Sequence, residues 1–580
     1  MAPRKSPTSD VEAIFPSSSI STTAESLVAE ANEKQAFAGA TSQLSRWTRW
    51  GTTFDSFRRR QPQDAPNQLN HTLRTRHLYM IALGGCIGAG LFVGSGGALA
   101  SGGPASLLLG FLTVGLLVFN VVQALGELAV LYPVSGGFYT YATRFIDPSV
   151  GFALGWNYCL QWAIVLPLEL TVASEVIKFW NNDISVSVWI TAFLAGIVVL
   201  NVFGVMGYGE FEFGSVTFKL IAIIIFLVTG LVNVLGSCPL DGVYHEYWGA
   251  RLWNYPGAFH NGFKGFCSTF VTASFAYAGT ELVGLAAAES RTPLKSLPRA
   301  VKQVTWRVVA FMVLPLIFVG LLVPYDDKRL FGSGEGFADT TASPFVIVAV
   351  NAGLKGFDSF ICTVIVVSVI SIGNSGVYAG SRTLTALAEQ GYAPRFLTYI
   401  DRAGRPLAST VILICFGGVA YINTGEAGQT IFQWLMSLAG LAALFTWGSI
   451  CVSHIRFRAA WRLQGRSMNE IPFQALFGTA GSWFSLILVV LALAAQLFVA
   501  IKPPGGGTAN AEHFFKQSLT WPVVLLLWAC GHFWNRKPWL KVARIDINSG
   551  QRQIDWVAHR VENQRQAEGS FVRRVVRFLF

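Results

Sequence analysis

Charge is what this chain has least of. Only 13% of its 580 residues are Asp, Glu, Lys or Arg, about half the usual share of a soluble domain, so a solvated globular surface is excluded for most of its length. The eight cysteines include no CxxC pair and fall mostly inside apolar stretches, so neither a zinc site nor a disulfide framework is indicated. The eight histidines scatter over loops and segment ends. With no metal-ligand cluster, nucleophile–base pair or phosphate loop, a membrane enzyme is disfavoured, and no catalytic residue, metal or cofactor is expected. No GxGxxG sits in a βαβ pattern, so there is no dinucleotide fingerprint. A channel is disfavoured by the lack of a filter-like repeat or a ring of charge. The N-terminus lacks a cleavable signal pattern.

What the chain has is apolar length. Hydrophobic residues make up 52% of it, in repeated runs of about 20 residues, the signature of an all-α polytopic membrane protein. Twelve spans are expected: 78–100, 105–129, 150–179, 186–206, 213–235, 266–288, 304–323, 359–386, 408–422, 431–452, 482–501 and 519–534. The apolar stretch 341–356 is too short to span and reads as a surface or re-entrant helix. The net charge of +11 does not call for nucleic acid, because basic loops set membrane orientation. Arg and Lys gather in the loops after spans six, eight and ten, and Asp and Glu in the opposite loops. Both termini are then cytoplasmic.

Three regions follow. Residues 1–76 read as a mostly disordered tail, 77–534 as the membrane domain, and 535–580 as a polar, basic tail ending in VRRVVRFLF. Within 45–60, Trp47, Trp50, Phe54 and Phe57 stand at helical spacing beside several arginines. Such a helix would lie on an anionic membrane face or dock on the protein's own loops.

Two spans look built to break. Span one reads MIALGGCIGAGLFVGSGG, with seven glycines. A break would free N–H groups at the start of the second half-helix, where an anion is favoured; close helix packing through small-xxx-small pairs is the alternative. Span six reads FAYAGTELVGLAAAE, with Gly279 among small residues and Glu281 deep in the apolar run. An intramembrane carboxyl suggests function, or else a hydrogen bond within the bundle. Spans one and six each open a set of five, so their matched breaks suggest an inverted repeat with a midplane site.

RHLYMIALGGCIGAGLFVGSGGALASGGPA, ALGELAVLYPVSGGFYTYATRFIDPSVGFALGWNY, FAYAGTELVGLAAAESRTPLKSLPRAVKQV and SIGNSGVYAGSRTLTALAEQGYAPRFLTYIDRAGRPL resemble the fungal amino-acid permeases, most closely the general, broad-range ones. The resemblance implies a 5+5 inverted repeat with broken helices 1 and 6, plus two accessory helices. It further implies proton-coupled amino-acid uptake at the plasma membrane, or an amino-acid sensor of the same fold. It implies a substrate carboxylate at Gly85, Cys86, Ile87, Gly88, Ala89 and Gly90, although Cys86 and Ala89 stand where relatives often carry hydroxyls. The amino group is implied near Phe275, Ala276, Tyr277, Ala278, Gly279 and Thr280, with Phe275 and Tyr277 as an aromatic gate or as packing. Gln161 and Val165 of span three and Ala439 of span ten fall where the family shapes its side-chain pocket, and suggest mainly neutral substrates.

Glu281 is the first candidate for proton coupling. Lys219 would replace a bound cation or snorkel to the interface. Glu169 is a further intramembrane carboxyl on the Gln161 face. Asn374 and Ser375 offer polar contacts or packing, and Glu127 and Glu289 read as structural or gate residues. Implied partners are the amino acid, protons, membrane lipid, and ubiquitin-ligase adaptors acting through Lys5 or Lys34.

Overall fold

The computed structural model describes residues 53–60, 73, 75–133, 137–180, 183–239, 241–286, 289, 293–331, 343–424, 428–506 and 510–552. Among them every regular element is helical, and the strand-like pairing is one antiparallel bridge, Arg59 with Asp401. Two units part between Ser56 and Phe57; the helices that bound the site all belong to the second.

Apolar runs become helices because a backbone in hydrocarbon has only itself to bond to. Helix α1 is Thr75–Gly84. A π-helical turn, Gly90–Gly94, then leads into α2, Ser95–Leu131, which bends at Gly103–Pro104. Next come α3 (Phe138–Phe145), α4 (Pro148–Ile177), α5 (Val186–Val202) and α6 (Gly204–Val234). The sixth apolar segment is interrupted: α7 is Gly262–Tyr277 and α8 is Leu282–Ala286. Then follow α9 (Pro293–Leu322), α10 (Pro344–Asn351), α11 (Phe357–Glu389), α12 (Leu407–Phe416, continued as a 3-10 helix to Thr424), α13 (Gly428–Leu463), α14 (Gly478–Ile501), α15 (Ala511–Ser518) and α16 (Thr520–Asn535). Among the described residues six helices are long and apolar enough to cross a membrane: Gly90–Leu131, Pro148–Ile177, Gly204–Val234, Phe357–Glu389, Gln433–Leu463 and Gly478–Ile501. Helix α4 packs along α11, and α2 along α7 and α9.

One span boundary is corrected and two other expectations are narrowed. Helix α6 begins at Gly204 rather than near 213, because the polar run GEFEF turns its second glutamate into the bundle instead of into a loop. Of the two readings of the stretch before α11, surface or re-entrant, the surface one does not hold. Helix α10 is buried from Pro344 to Ala349, with Phe345 against Phe92 and Phe226 at ring separations of 5.0 and 4.7 Å and Ser343 Oγ donating to the Phe92 carbonyl at 2.6 Å. The helix expected over 45–60 does not reach residue 60. Phe54–Phe57 is a single 3-10 turn; beyond it the Arg60 N–H donates to the Ile400 carbonyl, and Arg402 N–H to the Arg58 carbonyl. Trp47, Trp50, Lys5, Lys34 and the end of the chain from residue 553 lie outside the described residues.

The segment after α16 is also held to the bundle. Ile545 and Ile547 are buried, Tyr132 Oη donates to the Ile547 carbonyl at 2.6 Å, and Gln464 Nε2 donates to that of Ile545 at 2.7 Å.

Candidate functional site

The two helix breaks meet. Helix α1 stops at Gly84, residues 85–88 leave the helix, and it restarts where the Gly88 carbonyl accepts from Leu91 and Phe92 at 3.1 and 3.0 Å. In the sixth segment α7 ends at Tyr277 and Ala278 is extended (φ −59°, ψ 137°). Gly279 lies at φ +101°, a conformation that side chains resist. A Cβ built on Gly279 would stand 2.0 Å from the Gly85 carbonyl oxygen, and one on Gly90 would stand 2.5 Å from Ala276 Cα. Residues 85–90 and 276–279 therefore cross backbone to backbone. The first N–H groups of a restarting helix have no partner within it, so this crossing offers a positive end to an anion.

Glu169 of α4 reaches the crossing. It is 1% exposed, and neither carboxyl oxygen meets a donor at full hydrogen-bonding distance and angle. Its Oε1 would lie 3.6 Å from a Cβ on Gly88, and the Ala89 N–H is the backbone donor it faces. One and two turns earlier on that face stand Val165 and Gln161, both buried, with both Gln161 amide atoms unpartnered. Buried polar atoms normally find partners. Glu169 and Gln161 leave four buried polar atoms without a partner along one face of α4.

On the other side of the break lies a fixed cation. Lys219 is fully buried in the middle of α6, so its ammonium does not snorkel. Its Nζ donates to the Gly84 carbonyl at 3.3 Å and to Ser371 Oγ at 3.0 Å. Ser371 Oγ donates in turn to Glu212 Oε2 at 2.7 Å. This chain ties the end of α1 to α6 and α11. Glu212 and Ser371 were missed in the sequence. Glu212 stands seven residues before Lys219, two turns along one helical face, and that spacing was the available signal. Cys86 is buried in the break.

Glu281 is held differently. The Gly279 N–H donates to both its oxygens, at 3.2 and 3.1 Å, and Trp447 Nε1 donates to Oε2 at 3.2 Å. The carboxyl thus clasps the loop it belongs to. Thr280 Oγ1 caps the end of α7 by donating to the Tyr277 carbonyl at 3.0 Å. Tyr277 packs its ring against Phe111 of α2 at 6.2 Å. Phe275 Cβ would stand 3.5 Å from a Cβ on Gly440, beside buried Ala439 of α13. Asn374 and Ser375 are engaged by neighbouring helices: Asn374 Oδ1 accepts from Asn201 at 2.9 Å, and Ser375 Oγ lies 3.1 Å from Tyr208 Oη. Among the described residues no group of three His, Cys, Asp or Glu could hold a metal ion.

Residues 77–544 match the amino acid permease family. The chain belongs to that family. An amino-acid permease of Hypocrea atroviridis is 55% identical over 92% of this chain and 93% of its own length. The general amino-acid permease of Saccharomyces cerevisiae is 44% identical over 88% of this chain and 87% of its own. Among solved structures, a manganese transporter of Eremococcus coleocola superposes with a TM-score of 0.49 at 12% identity, over 79% of this chain and 93% of that one.

Two further carboxylates of the permease are buried and paired at the end of the bundle that carries the basic loops. Glu289 accepts from Arg382 Nε at 2.6 Å, and its backbone carbonyl accepts from the Leu73 N–H at 3.2 Å, which joins the approach to α1, the segment after α8, and α11. Glu127 accepts from Arg458 Nε at 2.8 Å and Nη2 at 2.6 Å, and from the Ala475 N–H at 2.6 Å. His454 Nε2 stands 3.1 Å from the same carboxylate.

Proposed function

We propose that the permease is a plasma-membrane importer that couples amino-acid uptake to protons, with a broad and mainly neutral substrate range. On this reading it has twelve spans, five and five related as an inverted repeat plus two accessory helices. The tails, 1–76 and 535–580, face the cytoplasm, and Lys5 and Lys34 serve ubiquitin-ligase adaptors. The substrate carboxylate takes the N–H groups of residues 85–90, and its amino group lies toward the unwound residues 275–280. Gln161, Val165 and Ala439 border its side chain.

The observation that carries this reading is the unpartnered Glu169 carboxyl at the crossing. A charged Glu169 and a substrate carboxylate would compete for the same N–H groups and repel one another. A protonated Glu169 does not. Proton and substrate binding then favour each other, and by linkage that favour is mutual. Lys219 supplies the positive charge that a bound cation would otherwise bring. Glu281 fixes the unwound segment that has to move, and is the second residue to test for proton exchange.

Labelled amino acids offered to permease-deficient yeast expressing this chain provide the test, at acidic and neutral pH and with a protonophore. Uptake across several classes of amino acid should collapse with the proton gradient. Glu169→Gln should keep substrate exchange across the membrane but lose accumulation and pH dependence. Accumulation that survives in Glu169→Gln would move the coupling role to Glu281, and Glu281→Gln in the same assay decides it. Binding without net uptake in the unaltered chain would favour a sensor.

A further inference from the structure

The flank of the bundle carries a groove that the transport site does not use. It has a volume of about 230 Å³ and is lined by Phe152, Trp156, Tyr392, Leu527, Cys530 and Trp534. Its floor is rigid. Gly531 brings α16 against α4 so closely that a Cβ there would stand 3.0 Å from Phe152 Cβ. The Phe152 ring meets the Tyr392 ring edge-on at 5.6 Å, and Trp156 Nε1 donates to the Tyr392 carbonyl at 3.2 Å. Its outer wall is open, with Trp534 69% exposed and Cys530 exposed.

The two ends of the groove differ in chemistry. Leu527 and Cys530 lead toward the apolar middle of α16. At the other end Tyr392 Oη meets Asn535 Oδ1 at 3.5 Å. Exposed Arg536 and Lys537 follow Asn535, and exposed Arg395 follows Tyr392 by three residues. An apolar slot lined by indoles and a phenol, with three exposed cations within three residues of its Tyr392 and Trp534 along the chain, has the polarity of a membrane lipid: chain, interface, anionic headgroup.

We propose that this groove holds one acyl chain of an anionic phospholipid of the cytoplasmic leaflet, with its phosphate at Arg395, Arg536 and Lys537. The choice of leaflet rests on the cytoplasmic orientation proposed above. The bound lipid joins α16, an accessory helix, to the start of α4, whose later turns carry Gln161, Val165 and Glu169.

The full-length permease reconstituted in nanodiscs tests this with phospholipids brominated on the acyl chain. Brominated phosphatidylserine should quench tryptophan fluorescence more than brominated phosphatidylcholine at equal mole fraction. That excess should vanish in the Trp156→Phe, Trp534→Phe double variant. The apparent affinity for phosphatidylserine, read from its mole-fraction titration, should fall about fivefold for each of Arg395, Arg536 and Lys537 changed to Ala. Equal quenching by the two headgroups, or an excess that survives in the double variant, would overturn the proposal. Sidedness is read separately, from Lys537→Cys labelled by an impermeant thiol reagent in sealed right-side-out vesicles, against the same chain carrying Lys537. Protection supports the cytoplasmic leaflet. Labelling from outside would overturn the leaflet assignment whatever the quenching shows.

Discussion

At the scale of single residues, the molecule separates groups that are satisfied from groups left waiting. Glu281 accepts three N–H bonds, whereas Glu169 accepts none from a side chain and Gln161 makes none at all. The sequence put Glu281 first for proton coupling, but could not tell which carboxyl is satisfied, because a partner such as Trp447 comes from a helix far away along the chain. Lys219 is the sharper case. Reading α6 as starting near 213 put this lysine close to an interface; with the helix starting at Gly204 it is central and bonded to Gly84 and Ser371. Replacing it by Met should leave Glu212 buried with hydroxyl partners only, at a cost of roughly 3 kcal/mol, read as a lower melting temperature of the purified protein. Adding Glu212→Gln should recover most of that stability without recovering proton-driven uptake. If Lys219→Met alone melts like the unaltered chain, the ammonium is not part of the structure that holds α1.

At the scale of elements, apolar runs located the helices well, and local chemistry located the breaks. Seven glycines in one span and a glycine two residues before a glutamate in another were enough to mark the interruptions. The direct contact between Gly85 and Gly279 was out of reach, since nothing in either segment alone names its partner. Turn and pairing details were hidden for the same reason: 58–60 is extended because loop residues Ile400 and Arg402 take its backbone groups. The Glu127 cluster gives a prediction at this scale. One carboxylate there joins α2, α13 and the segment before α14, so Glu127→Gln should strip Arg458 of its buried counter-charge. A loss of about 3–5 kcal/mol is expected, read by thermal denaturation. Truncating Arg458 to Met in the same background should restore part of it, since neither charge is then left alone.

At the scale of the whole molecule, the loops divide by charge, and the acidic end has its own stabilising network. Asp327 is partly buried, which by itself raises its pKa, but hydrogen bonds from the Arg329 side chain and N–H outweigh burial and hold it below the usual carboxylate range. Arg329 Nη1 continues to Asn351 Oδ1 at 3.1 Å, and Asn351 Nδ2 to Tyr244 Oη at 3.3 Å, which joins the end of α10 to the loops before α7 and after α9. A carboxyl whose folded pKa is lowered stabilises the fold above its ordinary range, near pH 4, and that contribution is lost as pH falls through the lowered value. Asp327→Asn should therefore melt below the unaltered protein at neutral pH, with the two curves converging in strong acid. A constant gap across all pH values would show that charge is not the reason.

The ammonium of Lys219 has a consequence for where such a protein can work. A cation borrowed from solution must be abundant outside the cell and must be let go inside it on every cycle. A cation on a covalent leash is always present and never released. On the proposed mechanism, uptake should then be indifferent to replacing sodium with choline in the medium. Each neutral amino acid should carry inward the single charge of its proton, so the membrane voltage pulls on every turnover. A cell equipped this way can feed from water that holds almost no salt.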